Sequence, residues 1–270
     1  MKIAFVGGGN MAGALIGGML AKGFDAAAIS VIEVSPAARE RLAARYPVRI
    51  TTAPDAQALA ADTLVLAVKP QDMKAALASL AGRVAGKLVV SIAAGVRLAA
   101  LARWLDGHAK LVRCMPNTPA LIGAGISGLY ALPGVSAEER NRAEVILGAV
   151  GEVVWVEEER LLDPLTAVSG SGPAYVFWVI EQLAAAAERL GISRQKSLKL
   201  ALKTVLGSAQ LAMASDQSPA ELRKQVTSRG GTTEAALRVF DEEQLAARFA
   251  RALDAACRRG AELGEQLDRD

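Results

Sequence analysis

Two glycine-containing loops carry the residues that could do chemistry. The first is Val6-Gly7-Gly8-Gly9-Asn10-Met11, which follows an apolar run of strand length and opens a helical pattern. Gly7, Gly9 and Ala12 fit the G-x-G-x-x-G/A spacing, in which missing side chains let backbone N–H groups approach a pyrophosphate at a helix N-terminus. Because a strand and a helix flank the turn as that fingerprint requires, it predicts a dinucleotide site.

The second loop is Thr227-Ser228-Arg229-Gly230-Gly231-Thr232-Thr233, where two hydroxyl pairs flank a double glycine at the start of a predicted helix. The N–H groups of Gly231, Thr232 and Thr233 are expected to converge there, and the helix dipole would assist them. This arrangement suits a small carboxylate. A plain capped loop, with Thr233 as the N-cap, is the alternative that the spacing leaves open.

The kind of reaction is indicated by the lack of a suitably placed histidine or lysine that could move a proton on a substrate oxygen. Reduction of a ketone needs a group that moves a proton on oxygen, commonly His or Lys. The single histidine, His108, lies in a polar turn predicted at the surface, and the helix after Ser169-Gly170-Ser171-Gly172 contains no lysine through Leu190. A cyclic imine relaxes this demand, because its nitrogen can arrive protonated. Hydride delivery then needs alignment and a hydroxyl such as that of Thr233.

Three further segments fall where open α/β sheets place ligands, beyond the carboxyl ends of predicted strands. They are Ala67-Val68-Lys69-Pro70, Ile92-Ala93-Ala94-Gly95 and Met115-Pro116-Asn117-Thr118-Pro119. Each segment taken singly is explained as an ordinary loop that follows a strand. Together with the glycine turn they favour a cofactor crevice.

The residues alone leave the choice between NAD and NADP open. An acidic residue about 20 positions beyond the glycines usually accepts a hydrogen bond from the ribose 2′-hydroxyl of NAD, and Glu33 is placed to do so. However, Ser35 and Pro36 follow, with Arg39 and Arg41 nearby to meet a 2′-phosphate electrostatically.

These loops require a doubly wound, mostly parallel sheet to position them. Continuous apolar runs such as residues 63–68 suit a parallel sheet that is covered on both faces. We predict an N-terminal Rossmann domain over residues 1–157. Its strands are expected at residues 2–6, 29–34, 48–51, 63–68, 87–92, 109–114, 125–131 and 152–156. Its helices are expected at residues 10–22, 36–45, 71–81, 97–105 and 137–149.

After Glu157 the strand signals stop, which predicts an all-α domain over residues 158–270 for substrate binding and dimerisation. Residues 169–173 are expected to break its first helix. Its later helices are expected at residues 173–190, 194–214, from Ser218 with Glu221 as a capping box, from Thr233, and at 243–267. The helix over 173–190 is apolar nearly all round, which favours a subunit interface. Burial inside its own monomer is the alternative.

Composition excludes other classes of protein. The net charge of +3 comes from interspersed signs with few aromatic residues, which argues against nucleic acid as a partner. The chain shows no apolar run of membrane-spanning length and no signal peptide, so we expect no membrane partner and a cytoplasmic location. The spacing of Cys114 and Cys257 matches neither a disulfide framework nor a metal site, and we expect no bound metal.

Six segments, in this order, resemble the pyrroline-5-carboxylate reductase family over essentially the whole chain. They are residues 6–11, 67–70, 91–95, 113–119, 169–175 and 230–233. The resemblance implies reduction of L-1-pyrroline-5-carboxylate to L-proline, the last step of proline biosynthesis, usually with NADPH and alternatively with NADH. It also implies a Rossmann domain and a helical domain that interlocks with a second subunit as a homodimer, often within a homodecamer.

By matching positions, the resemblance also assigns the site residues. Those expected to bind the cofactor are Val6, Gly7, Gly8, Gly9, Asn10, Met11, Ser35, Ala67, Val68, Lys69, Pro70, Ile92, Ala93, Ala94 and Asn117. Those expected to bind the substrate are Ser228, Gly230, Gly231, Thr232 and Thr233. Among these, Thr233 is the expected catalytic residue, since it would meet the ring nitrogen.

This chain departs from the family at two positions. Arg229 stands where the family often has proline, and Pro54 stands where some members place an asparagine on the cofactor.

Two rival functions explain the sequence less well. A β-hydroxyacid dehydrogenase would carry a lysine on the long helix near the serine–glycine turn, and this chain has none there. A protein that senses NADPH without turnover would explain the glycine turn but not the loop over residues 227–233, which we call the carboxylate loop.

Overall fold

The computed structural model describes residues 1–269, which form two compact units. The sheet unit comprises residues 1–171 and the end of the chain from Ala256. The helical unit comprises Gly172–Ala255. The last helix, α12 (Leu245–Arg269), therefore begins in the helical unit and ends in the sheet unit.

Eight strands form one sheet in the order β3-β2-β1-β4-β5-β6-β7-β8. The first six strands run parallel, β7 runs antiparallel to β6, and β8 runs parallel to β7. The strand order reverses at β1, which confirms the predicted doubly wound Rossmann arrangement. The strands are Ile3–Val6 (β1), Ile29–Ile32 (β2), Arg49–Thr51 (β3), Thr63–Leu66 (β4), Leu88–Ser91 (β5), Leu111–Met115 (β6), Gly125–Ala131 (β7) and Gly151–Trp155 (β8).

Helices cover both faces of this sheet. Along β1, Ile3 and Phe5 belong to one buried cluster, and Ala4 and Val6 belong to a second. Strands buried on both faces are largely apolar. The sequence of β1 is apolar throughout, whereas β4 and β5 each contain one polar residue, Thr63 and Ser91. Each fully buried large apolar side chain contributes about 1.5–3 kcal/mol. The helices are Asn10–Ala21 (α1), Pro36–Arg45 (α2), Ala56–Leu59 (α3), Met73–Ala78 (α4), Leu98–Trp104 (α5), Ala137–Leu147 (α6) and Leu162–Leu165 (α7).

The local structure differs from the prediction in two places. The helix expected over residues 71–81 is a 3-10 turn over Pro70–Asp72 followed by the short α4. The break expected at residues 169–173 takes another form, because Thr166–Gly170 is a π-helical turn closed by the Ser171 N–H donating to the Thr166 carbonyl at 2.8 Å. Such turns insert a residue into a helix and are frequent at functional sites.

The helical unit leaves much of its apolar surface uncovered. It contains α8 (Gly172–Arg189), α9 (Arg194–Met213), α10 (Pro219–Gln225), α11 (Thr232–Glu242) and the first half of α12. Tyr175 of α8 packs edge-on against Phe249 of α12, with ring centroids 6.3 Å apart. Phe177 and Trp178, however, are 65% and 57% exposed. Burial of α8 inside its own monomer is therefore wrong for these two side chains.

Within residues 1–269, no helix combines the length and the apolar character needed to cross a bilayer.

The N-terminus of α6 provides a test of stability in the sheet unit. Burial opposes ionisation of Glu139, but hydrogen bonds from Lys110 and Ser136 outweigh it and hold the pKa of this carboxyl below its ordinary value. A lowered folded-state pKa stabilises the protein above the unfolded-state pKa, and this contribution is lost as the pH falls through the folded-state value. The charge on Glu139 should therefore matter at pH 7 and cease to matter in acid.

We expect Glu139→Gln to lower the free energy of unfolding by about 1 kcal/mol at pH 7, because glutamine keeps the cap but loses the ion pair with Lys110. Urea denaturation should show this difference shrinking as the pH falls below the ordinary glutamate pKa of about 4.3. Glu138→Gln, at an exposed position of the same helix, is the control and should change stability by less than about 0.5 kcal/mol. A Glu139→Gln effect that is constant with pH would contradict the role of the charge.

Candidate cofactor and substrate sites

The loops that follow β1, β4 and β5 lie side by side at the carboxyl edge of the sheet. The backbone ladder continues one step beyond these strands. The Ala67 N–H donates to the Val6 carbonyl at 2.8 Å, and the Ile92 N–H donates to the Leu66 carbonyl at 3.0 Å. The Gly7 N–H likewise reaches across to β2, at 2.8 Å from the Ile32 carbonyl. The predicted cofactor segments after these strands are thus neighbours in space.

The three glycines of the first turn have different neighbours. Gly7 has φ +99°, and a Cβ there would lie 2.8 Å from the carbonyl carbon and oxygen of Ala67. A Cβ on Gly8 would collide with Leu42 of α2. Apart from its chain neighbours, nothing in residues 1–269 lies within 4 Å of the position that a Cβ on Gly9 would take. The fold itself therefore requires glycine at position 7, and a side chain at position 8 would displace Leu42, whereas position 9 is open towards a ligand.

The glycine turn places the N-terminus of α1 beside the open space at Gly9. Gly9 is the N-cap, and its carbonyl accepts from the Gly13 N–H at 2.9 Å. The N–H groups of Asn10 and Met11, at the first positions of α1, lack intrahelical acceptors as at any helix start. Unpaired N–H groups together with the helix dipole bind anions, so the residues present fit the pyrophosphate of a dinucleotide.

The remaining cofactor residues predicted at this edge are placed as follows. Lys69 is exposed and caps the 3-10 turn that Pro70 opens, and Ala94 is exposed beyond β5. Ser35 is the N-cap of α2, where its hydroxyl accepts from the Ala38 N–H at 3.4 Å. Val68 and Ile92 are partly buried, and Ala93 is buried against the sheet.

Asn117 uses its side chain on the protein. Its Nδ2 donates to the Ser169 carbonyl at 3.2 Å, and its Oδ1 accepts from the Ile126 N–H at 3.0 Å. The residue is only 9% exposed. Its amide therefore fastens the π-helical turn to the end of β6, and a cofactor contact by Asn117 stays a prediction.

The end of α12 supports the loop after β5, which sequence reasoning missed. Gly264 lies so close to Gly95 that a Cβ on it would be 3.2 Å from the Gly95 carbonyl oxygen. Asp268 lies 3.7 Å from the Arg97 guanidinium, and its carbonyl accepts from Arg103 at 2.7 Å. Because some 170 residues separate the partners, no local pattern in the sequence could have indicated this contact.

A buried ion cluster was also missed. Arg113 of β6 is 4% exposed and donates to Glu159 at 3.1 Å and to Asp163 at 3.3 Å. The same Glu159 oxygen accepts from the Leu98 N–H at 2.8 Å, at the start of α5. A buried arginine with two carboxylate partners is fully compensated, so we assign this cluster to support of the sheet edge.

In the helical unit, the carboxylate loop is built around its two glycines. Gly230 has φ +71°, and its N–H donates to the Glu234 carboxylate at 2.7 Å. The Gly231 N–H donates to the Ser228 carbonyl at 3.0 Å, and the Ser228 hydroxyl occupies the space that a Cβ on Gly231 would need. Glycine thus avoids backbone strain at position 230, where φ is positive, and leaves room for the Ser228 hydroxyl at position 231.

The start of α11 differs from the expectation by one step. The N-cap is Gly231, so the prediction of an N-cap at Thr233 is wrong. A plain capped loop, now with Gly231 as the N-cap, stays the alternative to a carboxylate site. Thr232 and Thr233 occupy the first two helical positions, and their N–H groups lack intrahelical acceptors. The Gly231 N–H is one of the three donors expected to converge on a carboxylate, but it donates to the Ser228 carbonyl instead. Two of the three expected backbone donors therefore remain for a carboxylate, at the positive end of the helix dipole.

The other reactive groups have structural environments. Burial raises the pKa of the Cys114 thiol, which makes it a poor nucleophile. The imidazole of His108 lies 2.9 Å from the Lys87 carbonyl. In sequence, His108 is distant from both glycine-containing loops, residues 6–11 and 227–233. In the part of the chain that the structure describes, no three His, Cys, Asp or Glu side chains converge as metal ligands would.

Together, the doubly wound sheet, the glycine turn at a helix N-terminus and the separate helical unit define a dinucleotide-binding Rossmann protein with a second, helical domain. Comparison with protein-family models agrees with both parts. Residues 159–263 match the model described as pyrroline-5-carboxylate reductase dimerisation. Residues 2–95 match the model described as NADP oxidoreductase, coenzyme F420-dependent.

Individual relatives cover nearly the whole chain. A pyrroline-5-carboxylate reductase of Pseudomonas aeruginosa is 47% identical over 98% of each chain. A solved pyrroline-5-carboxylate reductase of Coxiella burnetii is 41% identical, with a TM-score of 0.91 over 97% of this chain and 98% of the other. A Plasmodium falciparum pyrroline carboxylate reductase with NADP bound is 28% identical, with a TM-score of 0.87 over 98% of each chain. The chain belongs to the pyrroline-5-carboxylate reductase family, and it is an oxidoreductase of that family.

The different environments of the glycines predict different effects of substitution. Gly9→Ala should leave the thermal midpoint nearly unchanged, because its Cβ enters open space, but should weaken dinucleotide binding at least tenfold by blocking the approach to the α1 N-terminus. Gly7→Ala should destabilise the fold itself by more than about 1 kcal/mol, because the backbone has a positive φ and meets Ala67. Calorimetric titration and thermal unfolding of both variants measure these effects. Unchanged binding by folded Gly9→Ala would contradict the proposed position of the pyrophosphate.

Proposed function

We propose that this chain reduces L-1-pyrroline-5-carboxylate to L-proline with a hydride from NADPH, as the last step of proline biosynthesis. The observation that carries the proposal is the presence, in one chain, of two separate anion-binding helix starts. The N-terminus of α1 suits a pyrophosphate, and the N-terminus of α11 suits a carboxylate. The names of the relatives agree with a carboxylate substrate, and NADP in the Plasmodium falciparum relative agrees with a dinucleotide.

The cofactor is proposed to bind along the carboxyl edge of the sheet. The turn over residues 6–11, the segments 67–70 and 92–94, Ser35 and Asn117 would hold it there. When bound, NADPH supplies the hydride, and NADH is the alternative reductant. NADP in the Plasmodium falciparum relative supports the phosphorylated form.

The substrate is proposed to bind the carboxylate loop. The Ser228 hydroxyl and the N–H groups of Thr232 and Thr233 would hold its carboxylate. Gly230 and Gly231 would shape the loop, because their backbone geometry seats Ser228 and the start of α11. The Thr233 hydroxyl would contact the ring nitrogen as the catalytic residue.

This arrangement needs no proton donor for an oxygen atom. The imine nitrogen arrives protonated, the hydride adds to the imine carbon, and the π-electron pair moves onto nitrogen to give a secondary amine. The task of the protein is therefore alignment, which can supply a large part of the rate enhancement. The two glycine-containing loops, residues 6–11 and 227–233, contain no histidine or lysine that could act as an acid. This absence favours an imine over a ketone as the substrate.

Self-association belongs to this function, because the family model over residues 159–263 is that of a dimerisation domain. We propose an interlocked homodimer built on the exposed apolar side chains of α8, among them Val176, Phe177 and Trp178, which are all more than 40% exposed in the single chain. The same proposal includes assembly into a homodecamer, a cytoplasmic location, and a domain boundary between residues 157 and 158. The end of the sheet at Trp155 supports that boundary.

Turnover should be measured as oxidation of NADPH, and separately of NADH, with pyrroline-5-carboxylate as substrate and proline as the identified product. Thr233→Ala should lower kcat/KM about ten- to hundredfold, because one hydrogen bond of about 1–3 kcal/mol is lost, while NADPH binding stays nearly unchanged. Thr233→Ser keeps the hydroxyl and should retain most of the activity. Tight dinucleotide binding without turnover of the wild-type chain would instead favour the NADPH sensor.

Trp178→Glu should prevent self-association, because a charge among the exposed apolar side chains of α8 cannot be desolvated without a partner. Sedimentation velocity should show dimers or larger species for the wild-type chain and monomers for this variant. Glu181→Gln, at an exposed polar position of the same helix, is the control. A Trp178→Glu variant that assembles normally would place the interface elsewhere.

A further inference from the structure

Glu33 directly follows β2, and both oxygens of its carboxylate accept from backbone donors. The Gly8 N–H donates to Oε2 at 2.6 Å, and the Ser35 N–H donates to Oε1 at 2.7 Å. The first donor belongs to the glycine turn after β1, and the second belongs to the N-cap residue of α2. The carboxylate therefore joins the two loops at the carboxyl ends of β1 and β2.

The surrounding residues hold the side chain in this position. A Cβ on Gly8 would lie 3.3 Å from Oε2 of Glu33, so the glycine allows the carboxylate to reach the amide. Arg39 donates to the carbonyl of Glu33 at 3.1 Å and to that of Val34 at 2.7 Å. The Arg39 guanidinium thus binds carbonyl oxygens of the segment that contains Glu33.

This place in a Rossmann fold distinguishes the two forms of the cofactor. An acidic residue after the second strand accepts from the ribose 2′-hydroxyl of NAD, whereas an arginine nearby accommodates the 2′-phosphate of NADP. Glu33 supplies acceptor oxygens, occupies the Gly8 and Ser35 donors, and adds a negative charge that repels a phosphate. Arg39 and the exposed Arg41 are the cations of this segment that oppose this repulsion.

We propose that Glu33 is a specificity-determining residue that lowers the affinity of the chain for 2′-phosphorylated dinucleotides relative to unphosphorylated ones. The chain then uses NADH alongside NADPH to a greater extent than it would with a neutral residue at position 33. This inference rests on the proposed function, because it concerns the cofactor of the same site.

The test measures binding rather than turnover. 2′,5′-ADP and 5′-AMP carry the adenosine half of the cofactor with and without the 2′-phosphate, and NADP⁺ and NAD⁺ carry the whole. Their dissociation constants should be measured by calorimetry on the full chain at one fixed salt concentration near 0.15 M, because exposed charges are screened. Glu33→Gln removes the charge and keeps the size of the side chain. Glu40→Gln removes an equal charge from an exposed position of α2 and is the matched control.

We expect Glu33→Gln to lower the ratio of the 2′,5′-ADP and 5′-AMP dissociation constants about tenfold, with the same direction for NADP⁺ and NAD⁺. Glu40→Gln should leave both ratios unchanged. Unchanged ratios in Glu33→Gln would overturn the inference, and so would equal shifts in the two variants, since these would reflect the general field of the protein. Failure of the wild-type chain to bind any of the four nucleotides would overturn the proposed function and the inference with it.

Discussion

The arrangement of the cofactor edge depends on the parallel backbone ladder continuing past the ends of β1 and β4. Donation from Ala67 to Val6 and from Ile92 to Leu66 keeps the following loops at the spacing of neighbouring strands, about 4.8 Å. A register slip would turn the side chains of a whole strand to the opposite face, where they would not fit the close-packed cluster that lies there. The rigid sheet thereby positions irregular loops with the accuracy that ligand binding requires.

Both proposed anion sites use the same arrangement in different surroundings. At α1 and at α11 a glycine N-cap begins the helix, and the first N–H groups have no partner within it. At the first proposed site, backbone and side chains approach two glycines closely, and the third glycine faces open space. At the second, the Ser228 hydroxyl lies beside Gly231, and the Ser228 carbonyl accepts from the Gly231 N–H.

Self-association follows from the shape of the helical unit. Fewer than one hundred residues, Gly172–Ala255, cannot enclose a helix as apolar as α8, and Phe177 and Trp178 stay more than half exposed in the single chain. Contiguous apolar surface of this kind marks an interaction site rather than a stable monomer surface. The dimerisation model that matches residues 159–263 agrees with this reasoning.

The order of strands and helices could be predicted because apolar periodicity and glycine spacing are local properties of the chain. The same holds for the glycine turn and for the apolar excess of α8. The prediction was less accurate where neighbouring segments decide the conformation. The π-helical turn at Thr166–Gly170 and the shift of the N-cap from Thr233 to Gly231 are such cases.

By itself, the sequence determined that this protein has a Rossmann sheet, a helical unit and loops suited to a pyrophosphate and a carboxylate. Only the tertiary structure decided which groups those loops use internally. The carboxylate of Glu33 binds an amide 25 residues away, the amide of Asn117 binds a carbonyl 52 residues away, and Arg103 binds the end of α12 165 residues away. Contacts over such separations depend on how the elements pack, and no local pattern encodes them.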